Sequence, residues 1–223
     1  MRSGFLLALL SLALALPASA VDWSVQEFEL EGATLKVALP AGYQRVGDDF
    51  PAMAMTRRGL PPNLRLVAGF FSPEPWRYSL VQQLVPLRDW RFNQADWDQL
   101  TASFDQSLKE LDPAKISDAF NERADRMTGD VGRDLAVRLE KPVVLPVIDS
   151  SNRHVSFPIL MALNSTLEGA KRRDVVLAVC MIMVLQDRLV YVYLYEPFTG
   201  KETYEILGTR AREAARRTLE ANR

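Results

Sequence analysis

Few side chains in this sequence are placed to do chemistry. His154 is the only histidine, so a site built on two imidazoles is excluded, and zincin motifs and His-rich metal cages go with it. A Ser-His-Asp relay would have to join His154 to Asp149 and to Ser150 or Ser151, because a nucleophilic hydroxyl needs a base within reach and the base needs an orienting carboxylate. The run Asp149-Ser150-Ser151-Asn152-Arg153-His154 has the composition of a solvated turn, and no Gly-x-Ser-x-Gly elbow occurs. It reads as a turn. The densest carboxylate groups are Asp48-Asp49 and the set Asp125, Asp130 and Asp134. Neither has the spacing of a calcium loop, so both read as exposed loop charges. Among the eleven glycines there is no Walker-type loop and no Gly-x-Gly-x-x-Gly fingerprint to cradle phosphates. Cys180, the only cysteine, sits in the apolar run Val175 to Leu185, where a thiol behaves as a small buried hydrophobe. No catalytic residue, metal site or cofactor is expected.

Two features suit contact rather than catalysis. Trp76, Arg77, Tyr78, Arg88, Trp90 and Arg91, followed by Phe92, interleave aromatic rings with guanidinium groups. Such residues are enriched at protein interfaces, although the aromatics could equally tuck into the core. Tyr191, Tyr193 and Tyr195 share one face of a strand and could line a small-ligand pocket, or lie under a helix with their hydroxyls reaching water.

The elements that hold these residues follow from hydrophobic periodicity. Val25 to Leu30 and Thr34 to Leu39 flank Glu31-Gly32 as a hairpin. Ala52 to Thr56 and Leu64 to Phe71 suggest a second hairpin. Trp97, Leu100, Phe104, Leu108 and Leu111 line one face of a helix over 94 to 111. Asp112 caps a second helix over 113 to 127, with Pro113 in its first turn and Gly129 as its stop. Strands return at Leu135 to Leu139, Val143 to Ile148, Val155 to Leu163, Val175 to Leu185 and Leu189 to Tyr195. Thr199-Gly200-Lys201-Glu202 resembles a capping box before a last helix over 202 to 221, whose outer arginines Arg210, Arg212, Arg216, Arg217 and Arg223 can pair with Glu213 and Glu220. In the run Val175 to Leu185, odd and even positions are equally apolar, so both faces of that strand must be covered. The economical fold is an α+β one: an α/β/α sandwich around an antiparallel sheet of about six strands.

The chain has 223 residues, 48% apolar and 25% charged, with 27 basic against 28 acidic side chains. That is globular composition, and the balanced charge lacks the cationic surplus that nucleic acid requires. Arg2, the apolar stretch Phe5 to Leu16 and Pro17-Ala18-Ser19-Ala20 read as a cleaved signal peptide over 1 to 20. One domain is expected over 21 to 223, periplasmic or secreted, with no membrane span in the mature chain.

The order of elements resembles the PsbP-like fold. The hairpin leading into Leu39-Pro40-Ala41-Gly42-Tyr43, the central helices, the long hairpin Val175 to Tyr195 and the terminal helix ending Leu219-Glu220-Ala221-Asn222 carry the resemblance. It implies an α/β/α sandwich in a family whose members mainly bind other proteins or assist large assemblies. The expected function is therefore binding, foremost of a protein partner. A small-ligand or metal-ion binding protein and a carboxylate-dependent hydrolase are the alternatives.

Overall fold

The computed structural model describes residues 21–74, 76–131 and 135–223. The expected signal peptide over 1 to 20 lies outside them, as does Asp134. The strands are β1 (Trp23–Leu30), β2 (Ala33–Pro40), β3 (Gln44–Arg45), β4 (Leu64–Phe71), β5 (Tyr78–Leu84), β6 (Leu135–Leu139), β7 (Val143–Val144), β8 (Asp149–Ser150), β9 (His154–Leu167), β10 (Ala170–Leu185) and β11 (Arg188–Pro197). The helices are α1 (Pro51–Gly59), α2 (Gln94–Ala102), α3 (Phe104–Glu110), α4 (Pro113–Val131) and α5 (Lys201–Ala221).

Among the described residues nine strands form one antiparallel sheet ordered β3-β4-β5-β11-β10-β9-β6, with β7 and β8 also paired to β9, while β1 and β2 make a separate ribbon. The sheet exceeds the expected six strands because β9 is 14 residues long and pairs with three short strands in succession along one edge. Strand β10 explains the layering. Every residue from Val176 to Leu185 is buried. Its odd positions Leu177, Val179, Met181 and Met183 pack with the β1–β2 ribbon and α5. Its even positions Cys180, Ile182 and Val184 pack against Phe92 and Trp97 on the other side. Each large apolar side chain sealed this way contributes about 1.5–3 kcal/mol, so helices on both faces follow from the sequence of one strand.

Three two-residue turns join the hairpins: Glu31-Gly32, Glu168-Gly169 and Gln186-Asp187, all with positive φ at both positions. This is the backbone that matches strand twist in a tight hairpin. At Gln186-Asp187 it is imposed on two residues with side chains, against their steric preference, by the ten-pair ladder from Val176↔Pro197 to Leu185↔Arg188.

The structure corrects several expectations. Residues 52 to 56 are helical within α1, not a strand. Pro51 occupies its first turn, and of its residues only Met53 is buried, a pattern that strand alternation would not produce. The helix expected over 94 to 111 is two helices broken at Ser103, which sits at φ −108°, ψ 3°. The Thr101 hydroxyl donates to the Trp97 and Asp98 carbonyls there. Leu111 is 41% exposed rather than on the packed face. Helix α4 passes through Gly129 to Val131. No capping box starts α5: Gly200, at φ +143°, precedes it without a side-chain cap, and the Thr199 and Thr203 hydroxyls meet at 2.8 Å instead. Arg210 does not point outward but pairs with buried Glu196. Among the described residues no helix is long and apolar enough to cross a membrane.

Candidate functional site

The segment that leaves β5 makes a 3₁₀ turn at Val85–Leu87 and then crosses the sheet face opposite α5. Its end is pinned where the Phe92 N–H donates to the Asp187 carbonyl at 2.8 Å, at the tip of the β10–β11 hairpin. Asn93 then starts α2 with a reciprocal cap: its side chain accepts from the Asp96 N–H at 3.1 Å while the Asp96 carboxylate accepts from the Asn93 N–H at 3.0 Å. Such caps contribute about 1 kcal/mol and fix the entry angle of the helix. Trp97 is buried and donates its indole N–H to the Ser151 carbonyl at 3.2 Å. The Phe104 ring packs on Phe157 at 5.5 Å.

These anchors hold α2 and α3 against β9 and β10 but leave a gap toward β11. The result is a cleft of about 510 Å³ lined by Leu87, Trp90, Phe92, Leu100, Phe104, Ile182 and Tyr191, with Asp96, Gln99, Ser103 and Ser107 along the helical wall. Trp90 stands at its lip, 54% exposed. On the opposite flank of α3 a smaller cleft of about 360 Å³ is lined by Asp105, Leu108, Lys109 and Val144 to Val147.

The tyrosine row divides. Tyr191 lines the cleft, and burial pushes its phenol up to about 12. Tyr193 lies opposite Cys180 in the strand ladder and shares a hydrogen bond with its thiol. Burial pushes that thiol up to about 12, so it is not a nucleophile. Tyr193, Tyr195, Tyr78, Phe71 and Phe50 form a continuous series of ring contacts at 5.9, 4.3, 5.4 and 5.1 Å. Burial raises the phenols of Tyr78, Tyr193 and Tyr195 well above their ordinary value. These rings are packing, and of the row only Tyr191 meets the cleft.

The aromatic and arginine stretch divides as well. Trp76 is half-buried at φ +61°, and Tyr78 belongs to the ring series. Arg77 pairs with Glu74 and lies 3.9 Å from Glu196, the buried carboxylate that also holds Arg210. Tyr43 beside this group is pushed up to about 12, by burial first and then by Glu196. Arg88 approaches Asp89 at 3.5 Å, and Arg91 is exposed with its guanidinium 3.4 Å from the Trp90 carbonyl. Trp90 alone of the six reaches the cleft. Sequence periodicity placed Leu100 and Phe104 on the packed helix face. It did not reveal Gln99, Ser103 and Ser107 as a wall, which depends on the break at Ser103.

Asp149, Ser151 and His154 do come together. Ser151 Oγ lies 2.7 Å from Nδ1 of His154, and His154 Nε2 lies 3.1 Å from Asp149 Oδ2. Ser150 is exposed in β8 and takes no part. The Ser151 hydroxyl also accepts the Arg153 N–H at 3.2 Å, and the Ser151 N–H donates to the His154 carbonyl at 2.8 Å. Every contact closes the same short turn, and neither cleft includes these side chains. The network locks the β8–β9 connection. Among the described residues no group of three or more His, Cys, Asp or Glu side chains is placed to hold a metal ion. Asp48 pairs with Arg57 and Asp125 with Arg138.

No protein-family model matches the sequence, and no curated protein matches it. Among solved structures, the chain is similar to the Ran-binding protein Mog1p of Saccharomyces cerevisiae, at 12% identity and a TM-score of 0.34 over 90% of this chain and 93% of that one. It is also similar to a point mutant of the protein Mog1, at 14% identity and a TM-score of 0.34 over 89% and 93%. These are Mog1 chains, so the PsbP-like resemblance drawn from element order is corrected. Hairpins and helices in a similar order do not specify a family. The expectation of a periplasmic or secreted protein is corrected with it, the matched chains being Mog1, one of them a Ran-binding protein. Likeness at this level assigns no partner.

Proposed function

We propose that the chain works by binding a protein partner and that the partner docks at the cleft between Leu87–Phe92 and α2–α3. The observation that carries this reading is Trp90, 54% exposed beside an apolar floor of Leu87, Phe92, Leu100, Phe104, Ile182 and Tyr191. Leaving an indole half in water forgoes burial that the core gives Trp97, and tryptophan set in a desolvating pocket is the commonest anchor of interface energy. The phenol of Tyr191 adds one hydrogen-bond donor to the floor. Small-ligand binding along the tyrosine row has less support, because Tyr193 and Tyr195 are occupied with each other, Cys180 and Tyr78.

The test is a photo-crosslinking amino acid placed at Gln99, on the cleft wall, and, separately, at Ile206, which is 40% exposed on α5. Irradiation in the producing cell should give a discrete adduct from position 99 that weakens when Trp90→Ala is added. The same adduct from position 206 in equal yield, or none from position 99, overturns the assignment.

A further inference from the structure

We infer that the occupant of the cleft is an amphipathic helix of the partner, with apolar side chains seated against Trp90 and Tyr191 and Lys or Arg along the edge facing α2–α3. This rests on the cleft being the docking site, and two further observations carry it.

The first concerns backbone hydrogen bonds. The cleft floor comes from β10 and β11, and each is paired on both sides: β10 with β9 and β11, β11 with β10 and β5. No strand edge is open there, so an extended segment would find no ladder to join and would leave its own N–H and C=O groups unpaired on an apolar floor. A helix satisfies its backbone internally and presents an apolar stripe, the usual solution for a groove of this kind.

The second is charge. Residues 94 to 112 carry Asp96, Asp98, Asp105, Glu110 and Asp112 against Lys109 alone, in a chain otherwise near balance. Several carboxylates elsewhere are neutralised by arginine: Glu140 by Arg173, Glu196 by Arg210, Glu213 and Glu220 by Arg216, Asp174 by Arg172. On α2–α3 the partners are neutral. Asp96 caps Asn93, Asp98 takes the Gln94 amide, Glu110 takes the Gln106 amide and Asp112 takes the Ala114 N–H. Asp96 lines the cleft itself, and Glu110 follows Ser107 on the same flank of α3 by helical spacing. The opposite lip is lined by Leu87, Trp90 and Phe92, none of them charged, so the negative charge lies on one side of the cleft only. A helix with a cationic edge fits it in one orientation, with that edge toward α2–α3.

The experiment titrates the protein with a fluorescein-labelled helical peptide of Leu and Lys at amphipathic spacing, and with its counterpart in which every Lys is Glu, followed by anisotropy. The expected result is binding of the Lys peptide roughly tenfold or more tighter than the Glu peptide. That binding should weaken by about tenfold in Asp96→Asn/Glu110→Lys and at high salt, and be abolished in Trp90→Ala. Circular dichroism and thermal melts confirm that each variant is folded. Equal binding of both peptides, lost in Trp90→Ala but indifferent to the charge changes, overturns the charge inference while leaving the docking site standing. Lys-peptide binding unchanged in Trp90→Ala overturns the docking site as well. Failure of both peptides to bind overturns the helical occupant.

Discussion

Ser151 and His154 are joined by a hydrogen bond of 2.7 Å between hydroxyl and imidazole, and the far side of the ring meets Asp149. His154 is buried, at 5% exposure. The three residue types of a hydrolytic relay therefore occur in one chain of contacts, yet the further bond of the Ser151 hydroxyl, from the Arg153 N–H, stays within the same turn.

A lock of this kind predicts a stability effect. His154→Ala leaves a buried void and orphans both the carboxylate and the hydroxyl, so it should cost about 2–3 kcal/mol in urea unfolding, and Ser151→Ala about 1 kcal/mol. A fluorophosphonate probe should leave Ser151 unlabelled. Stoichiometric labelling that disappears in His154→Ala, with the variant still folded, would show a nucleophile instead of a lock.

The placement of α1 depends on a missing side chain. A Cβ at Gly69 would run into the sulfur of Met53 and come within 3.3 Å of the Phe71 ring, with Met53 sealed at 1% exposure. Gly69→Ala should destabilise by about 1–3 kcal/mol through overpacking. In the double variant Gly69→Ala/Met53→Ala, the combined loss should be smaller than the sum of the two single losses, as a double-mutant cycle in urea would show. Additivity would mean the two residues do not meet.

The ribbon β1–β2 is sewn to the last turns of α5 by side chains. The Ala38 N–H donates to the Thr218 hydroxyl at 2.9 Å, and Asn222 both accepts from the Lys36 N–H at 2.9 Å and donates to the Lys36 carbonyl at 2.7 Å. This protects an otherwise open strand edge. Thr218→Val keeps the volume and removes the acceptor, and should cost about 1–3 kcal/mol. Hydrogen exchange should show faster exchange at Ala38 than in the parent, and unchanged exchange there would refute the link.

Two carboxylates tie stability to acid pH. Glu140 is lowered to about 2 by its hydrogen bonds from Arg173 and Asn164, and Glu213 to about 2 by those from Arg216 and Arg217. Both folded values lie below the ordinary 4.5, so the unfolded chain takes up protons first as the pH drops. Their contribution is complete above about 4.5 and disappears as the pH falls toward about 2. Glu140→Gln/Glu213→Gln should flatten the decline of the urea midpoint across that window, although Glu140 is exposed and Glu213 half-buried, so solvent screening keeps the effect modest. A slope equal to the parent's would refute it.

Several features were legible before any coordinates. Residues 176 to 185 had to be covered twice because neither alternate set offered a polar face, and both sides are sealed. Gln186-Asp187 had to turn because two apolar runs met across it. The helices after Phe92 were visible in their spacing, and the arginine pairing on α5 in its three- and four-residue intervals. Residues 52 to 56 were misread because Ala-Met-Ala-Met has no period that separates strand from helix over so short a run. The partition of Tyr191 from Tyr193 and Tyr195 was also hidden, since all three share one face of β11 and only the neighbours across the sheet tell them apart.

By itself, then, the sequence determined the layering, because burial of a two-faced apolar strand is a local property that any fold must satisfy. It also determined what was scarce: one imidazole, one thiol and no surplus of positive charge. Only the tertiary structure decided that Trp90 and Tyr191, about a hundred residues apart in the chain, would face the same cleft. That pairing depends on the break at Ser103 and on the anchor from Phe92 to Asp187, small-angle choices that set the distance between layers and leave no mark in periodicity.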